Sequence, residues 1–136
     1  MTTTAPSTIG RYKVLGELGR GSMGIVYLAL DPLLKREVAI KLVQGGTIAP
    51  DEVLARFQLE AEISARLHHP NVITVFDVGQ EKEFGPFMAM EYADGPVLSK
   101  VLAQGPMAPD QAAMILVQGF QALQAAHHKG IIHRDF

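Results

Sequence analysis

Three glycines in the pattern Gly-x-Gly-x-x-Gly, at Gly19, Gly21 and Gly24, constrain the fold of this chain more than any other feature. This pattern occurs in dinucleotide-binding folds, where it lies between the end of a strand and the beginning of a helix. Here the next residues, 25–28, are β-branched, aromatic and aliphatic, which predicts a second strand. The glycines are therefore predicted to form a hairpin whose bare backbone can approach a phosphate group closely.

The string Val38-Ala39-Ile40-Lys41 predicts a further strand. Because strand side chains alternate between faces, Lys41 shares one face with Ala39. Val38 and Ile40 share the other face. A lysine at the end of a strand is most often solvated, and the strand pattern alone leaves that interpretation open.

Helical spacing of apolar residues predicts a helix from about 51 to 67. Glu60 lies on the apolar side of this helix, so it is predicted to face the sheet. Glu62 points away with Arg66, four residues later. That spacing predicts an ordinary exposed ion pair between Glu62 and Arg66.

A third motif, His133-Arg134-Asp135, stands close to the end of the sequence. The glycine loop, the strand lysine and this triplet, in this order, resemble the front half of a protein kinase catalytic domain. The resemblance runs from about Ile9 to Phe136, and it is nearest to bacterial Ser/Thr kinases of the eukaryotic type. It implies transfer of the γ-phosphate of Mg-ATP to the hydroxyl group of a protein substrate.

The resemblance also implies the site residues. Lys41 holds the α- and β-phosphates, Glu60 holds Lys41, and Asp135 accepts the proton of the substrate hydroxyl, so these three are the predicted catalytic residues. The predicted ATP-binding residues come from the glycine loop, the walls of the adenine site and a backbone hinge: Leu18, Gly19, Gly21, Ser22, Met23, Gly24, Val26, Ala39, Lys41, Met90, Glu91 and Ala93. The Mg²⁺ ligands are expected beyond residue 136, with no metal site inside the chain.

The predicted fold class is α+β and protein kinase-like. It comprises a five-stranded antiparallel sheet with one helix, followed by the first helices of a helical lobe. Besides the strands above, the sequence predicts strands at 12–15, 72–78 and 86–90 and helices at 97–103 and 109–128. The predicted divisions are a disordered leader at 1–8, a sheet lobe with its hinge at 9–92, and an incomplete helical lobe at 93–136.

The composition of the chain limits the classes of binding partner and the cellular location that are expected. The net charge is −2 with both signs interspersed, which argues against nucleic acid and leaves ATP and a protein substrate as the expected partners. The chain has no cysteine, so a cytoplasmic location is expected. No apolar run is long enough to span a membrane, and an anchor beyond residue 136 stays open. The adjacent pairs His68-His69 and His127-His128 diverge on their helices and do not predict a metal site.

Two alternatives from other classes stand beside the kinase interpretation. A pseudokinase or nucleotide-binding regulatory module would retain ATP without chemistry, and the presence of Lys41, Glu60 and Asp135 argues against it. A dinucleotide-binding oxidoreductase is disfavoured by the strand after Gly24. The 136 residues are expected to be inactive by themselves, because they lack the magnesium-binding segments of the family.

Overall fold

The computed structural model describes residues 5–21, 24–43, 45 and 48–132 of the chain. Within these residues the strands are β1 (Thr8–Ile9), β2 (Tyr12–Gly21), β3 (Gly24–Asp31), β4 (Arg36–Val43), β5 (Val75–Glu81) and β6 (Gly85–Glu91). They form one antiparallel sheet in the order β1-β2-β3-β4-β6-β5. The helices are α1 (Asp51–Arg66), between β4 and β5, and α2 (Leu98–Leu102) and α3 (Pro109–His128), after the sheet.

The α+β class is as predicted, and the described sheet has one strand more than the predicted five. The additional strand, β1, is two residues long, and its Thr8 and Ile9 pair with Lys13 and Tyr12 of β2. Two residues are too few for an alternating pattern to be recognised in a sequence. Thr8 also falls within the predicted leader, 1–8.

The sheet curls until its two edges meet. β1 and β5 lie at opposite ends of the strand order, yet the turn between β1 and β2 contacts β5. The Gly10 amide donates to Glu81 Oε2 over 3.0 Å. Arg11 Nη1 and the Tyr12 hydroxyl each donate to Asp77 Oδ2 over 3.2 Å. We call this row of polar contacts the edge seam. Burial, followed by the Asp77 carboxylate, raises the pKa of Tyr12 to about 12. The Tyr12 hydroxyl therefore keeps the proton that it donates to Asp77.

Phe87 fills the interior of the curl. Its side chain is 5% exposed, and its ring meets the Tyr12 ring edge to face with centroids 6.1 Å apart. Gly10 and Gly79, one near each edge, make room for it: a Cβ at Gly10 would lie 3.0 Å from the ring, and a Cβ at Gly79 would overlap it. The other buried residues of this core are Ile9, Tyr27, Ala29, Val38, Ile40, Leu42 and Ala89.

Asp31 closes the turn between β3 and β4 and is buried. Its Oδ1 accepts from the amides of Leu33 and Leu34 at 2.9 and 3.3 Å, and its Oδ2 accepts from Arg11 Nη2 at 3.4 Å. Burial by itself would raise the pKa of Asp31, but these donors outweigh it and lower the pKa below its usual value. The ionised carboxylate therefore joins the turn to the edge seam.

Helix α1 packs on the sheet through a narrow contact. It begins at the predicted residue and ends one residue before the predicted end. Of its side chains, Phe57 and Ala61 are buried, and they join Val43, Ala49 and Met88 in a second core. No side chain caps its N-terminus. The sheet thus holds the middle of α1 more firmly than its ends.

The chain after the sheet is helical, as predicted, and α3 has the predicted bounds. The large apolar side chains in its middle are between 38% and 63% exposed: Met114, Ile115, Leu116, Val117 and Phe120. Ala126, in the last turn, is buried. None of the helices in the described ranges is both long and apolar enough to cross a membrane.

We expect Gly79→Ala to lower the free energy of unfolding by about 1–3 kcal/mol, because the new methyl group would overlap the Phe87 ring. Adding Phe87→Leu should cost less in this variant than in the wild type, since the smaller side chain removes the overlap. Urea unfolding of the four proteins measures this coupling.

Gly16→Ala is the matched control, because Gly16 is also a strand glycine but has no atom within 4 Å of an added Cβ. It should leave stability unchanged or raise it slightly. Equal losses in the Gly16 and Gly79 variants, or additive losses in the double variant, would contradict the packing of Phe87 between the edges.

We expect amide exchange to be slow around Val26 and Ile40 and fast from Leu116 to Leu123 in a monomeric sample. The strands pair on both sides, whereas this part of α3 exposes apolar surface whose burial would otherwise stabilise it. Hydrogen exchange read by mass spectrometry measures both. Strong protection of α3 without oligomerisation would contradict this expectation.

Candidate functional site

Lys41 of β4 and Glu60 of α1 form an ion pair. Lys41 Nζ lies 2.9 Å from Glu60 Oε2 and 3.1 Å from Oε1, so both carboxylate oxygens accept from the ammonium group. The lysine side chain is 17% exposed and the glutamate 42%. The predicted pairing of these two residues is confirmed, and the catalytic role of each remains a prediction.

Glu62 lies on the solvent side of α1, as its position in the helix predicted. Its Oε1 accepts from Gln58 Nε2 over 3.2 Å. The ion pairs found among the described residues do not include Glu62 with Arg66, so the prediction of that exposed pair is wrong. A neutral amide four residues earlier, one turn away, takes the place of the cation.

An apolar strip extends from Lys41 along the same face of the sheet. Val26 lies opposite Lys41, and Ala39 lies opposite Met90. Directly opposed residues share a face, and Ala39 shares the face of Lys41 by alternation. These three predicted adenine contacts are therefore brought together beside the lysine. Leu18, the fourth apolar contact predicted, is 41% exposed on β2.

The glycine-rich segment is a hairpin between β2 and β3, as predicted. Gly21 pairs with Gly24, and Gly19 pairs with Val26. Gly19 and Gly21 are exposed, with nothing within 4 Å of an added Cβ, and Gly24 has φ 148°, which side chains disfavour. The two tip residues predicted to bind ATP, Ser22 and Met23, lie outside the described residues.

The hinge after β6 is held by Thr74, which the sequence did not single out. The Glu91 amide donates to the Thr74 carbonyl over 2.8 Å, and the Thr74 amide donates to Glu91 Oε2 over 3.2 Å. Ala93 is exposed and lies past the last residue of the strand. The Tyr92 hydroxyl donates to Asp94 Oδ1 over 3.2 Å, a bond that raises the pKa of Tyr92. No periodic signal in the sequence marks contacts such as these, which join a strand end to a residue outside any strand.

Asp135, the third predicted catalytic residue, lies outside the described residues together with His133 and Arg134. Among the side chains that the structure does describe, no three or more of His, Cys, Asp or Glu come together as a metal site would require. His69 instead accepts from the Asn71 amide through Nδ1 over 3.0 Å.

Known proteins share this sequence pattern. The serine/threonine-protein kinase PrkC of Bacillus subtilis (strain 168) is 39% identical over 127 residues, which are 93% of this chain and 19% of PrkC. The serine/threonine-protein kinase PknB of Mycobacterium leprae (strain TN) is 40% identical over 137 residues, covering 98% of this chain and 22% of PknB. The chain thus spans about a fifth of the length of these relatives.

The fold also has solved counterparts. The crystal structure of the Mycobacterium tuberculosis PknI kinase domain superposes with a TM-score of 0.78 at 33% identity, covering 95% of this chain and 53% of that one. The sequence pattern that defines the protein kinase domain matches residues 12–136. That range contains the glycine hairpin, the Lys41–Glu60 pair and the hinge, and the chain belongs to the protein kinase family.

Proposed function

We propose that this chain is the ATP-binding part of a Ser/Thr protein kinase, which transfers the γ-phosphate of ATP to a protein hydroxyl. The observation that carries the proposal is the Lys41–Glu60 pair, which lies on the sheet face that also presents Val26, Ala39 and Met90. Relatives that are named serine/threonine-protein kinases support serine and threonine hydroxyl groups as the acceptors.

The described residues suit ATP in three places. The apolar strip offers one flat wall for adenine, and the backbone of Glu91 and Ala93 offers polar groups at the hinge edge. The exposed backbone of Gly19 and Gly21 gives phosphate oxygens a close approach. Each place binds a different part of the nucleotide, which supports ATP over a simple anion.

In the proposed reaction Lys41 binds the α- and β-phosphates and so aligns the γ-phosphate. Glu60 contributes by position, because it fixes the ammonium group at the sheet face. Asp135 accepts the hydroxyl proton as the substrate oxygen bonds to the γ-phosphorus, and the bond from that phosphorus to the bridging oxygen of ADP breaks.

Mg²⁺ neutralises phosphate charge in this family. We propose that its ligands lie beyond residue 136, and no step above depends on it.

We expect Lys41→Ala to weaken binding of a fluorescent ATP analogue to the 136-residue chain, and Glu60→Ala to weaken it in the same direction. In a longer, active form of the protein, both changes should lower kcat by on the order of a hundred- to a thousandfold, because each removes the held cation from the phosphates. Fluorescence titration and steady-state kinetics measure the two effects.

Glu62→Ala is the matched control, because Glu62 lies on the same helix but faces solvent. It should bind and turn over ATP like the wild type. A silent Glu60 variant beside a crippled Glu62 variant would contradict the site. Binding of the analogue without turnover in the longer form would favour the pseudokinase alternative.

We also expect the 136-residue chain alone to transfer no phosphate, because its sequence contains no Asp-Phe-Gly segment to supply a magnesium ligand. Radiolabelled ATP and myelin basic protein should give the same signal with the wild type as with Lys41→Ala. Transfer above that background would show that these residues suffice for the reaction.

A further inference from the structure

We propose that Lys129 is a positioning residue for Glu60, acting by holding the C-terminal end of α1. This inference rests on the proposed function, because it concerns the residue that orients Lys41. Lys129 lies just past α3, and its Nζ donates to the carbonyl oxygen of Arg66 over 2.6 Å. Arg66 is the last residue of α1. A side chain of the helical segment therefore caps the helix that carries Glu60.

The C-terminal end of α1 has backbone carbonyl groups without partners in the helix, and Lys129 binds one of them. The last carbonyls of a helix have no partner within it, and they form the negative end of the helix dipole. Leu67, the following residue, is extended rather than left-handed, and its amide donates to the Ser64 carbonyl over 3.3 Å. The Arg66 carbonyl receives the ammonium group of Lys129 instead, so both hydrogen bonding and charge favour the contact.

Lys129 itself lies in the turn that closes the end of α3. The Ile131 amide donates to the Ala126 carbonyl and the Gly130 amide to the His127 carbonyl, each over 3.0 Å. Gly130 has φ 73°, the left-handed conformation that this type of helix end requires. Because this turn is closed by its own hydrogen bonds, Lys129 projects from a defined backbone toward α1.

A second tie lies beside the first. Asn71, in the loop after α1, donates through Nδ2 to the Gln118 carbonyl over 3.0 Å and to Gln121 Oε1 over 3.2 Å. The first contact joins the end of α1 to the end of α3, and the second joins the loop after α1 to the middle of α3. The core under α1 holds the helix through Phe57 and Ala61, with Val53 and Leu54 packed beside them, so the polar contacts add a restraint at its C-terminal end.

The position of α1 matters at Glu60. Glu60 lies next to the buried Ala61, so tilting the helix about its buried residues moves Glu60 little, whereas sliding α1 or rotating it about its own axis moves Glu60 directly. A contact at Arg66, six residues further along the helix and about 9 Å away at 1.5 Å per residue, restrains both of these motions. The bonds from Lys41 to Glu60, at 2.9 and 3.1 Å, have little slack. Lys129 is also six residues before Asp135 in the sequence. It therefore links the helix of one predicted catalytic residue to the segment that leads to another.

The test uses the 136-residue chain with ¹³C-labelled lysine and compares wild type with Lys129→Met, which keeps the apolar stem but removes the donor. We expect the Lys41 Cε signal to move toward its position in Glu60→Gln. Amides of α1 should exchange roughly two- to fivefold faster, while those of β4 stay unchanged. Lys129→Arg, which retains a cationic donor, should restore both readouts.

Lys82→Met, in the exposed turn between β5 and β6, is the control and should change neither readout. Unchanged Lys41 and α1 signals in Lys129→Met would overturn the proposal. So would equal acceleration of exchange in β4, which marks general destabilisation, or failure of Lys129→Arg to restore the signals. Lys129→Leu, which also lacks a donor, serves if Lys129→Met does not fold, and the same outcomes decide.

None of these readouts needs nucleotide. A wild-type chain that does not bind the ATP analogue would overturn the proposed function while leaving the coupling between Lys129 and Lys41 measurable. Conversely, normal ATP binding with no coupling would overturn the role of Lys129 alone.

Discussion

The pairing of β4 with β6 is the constraint on which both cores and the candidate site depend. Ile40 lies opposite Ala89 in the core of the curl, and Lys41 lies opposite Met88, which belongs to the core under α1. A slip of one residue would turn Lys41 into the core around Phe87. A buried ammonium group without a partner is so costly that the sequence strongly specifies a single register.

The ion pair built on this register has one fixed and one adjustable member. Lys41 belongs to a strand paired on both sides, whereas Glu60 belongs to a helix attached to the sheet through two buried side chains. An ion pair with a member as exposed as Glu60 contributes little to the stability of the fold. Whether the Lys41–Glu60 pair forms therefore depends on the position of α1, and the pair itself does little to fix that position. The polar contacts at the C-terminal end of the helix help to hold α1 in place.

Local pattern was sufficient to predict most of the elements and part of the site. β5 begins and ends three residues later than predicted, because the apolar residues that start at Val72 precede the first residue that pairs with β6. The bounds of α3 and the choice of Glu60 over Glu62 follow from helical periodicity, and the face of Lys41 follows from strand alternation. The contact of Arg11 with Asp77 could not be predicted, because it joins residues far apart in the sequence through a curl that no periodicity records. The contact of Lys129 with the Arg66 carbonyl could not be predicted either, because these residues are also far apart in the sequence. Strand β1 was too short to be predicted from an alternating pattern.

The edge seam has a consequence for association between molecules. Edge strands of open sheets present unpaired backbone groups on which other chains can add strands and aggregate. In this fold the edges at β1 and β5 face each other, and Gly10 and Arg11 of one edge bind Glu81 and Asp77 of the other. Where these contacts lie, each edge thus hinders a third strand from adding to the other, so the curl that encloses Phe87 also covers part of both sheet edges.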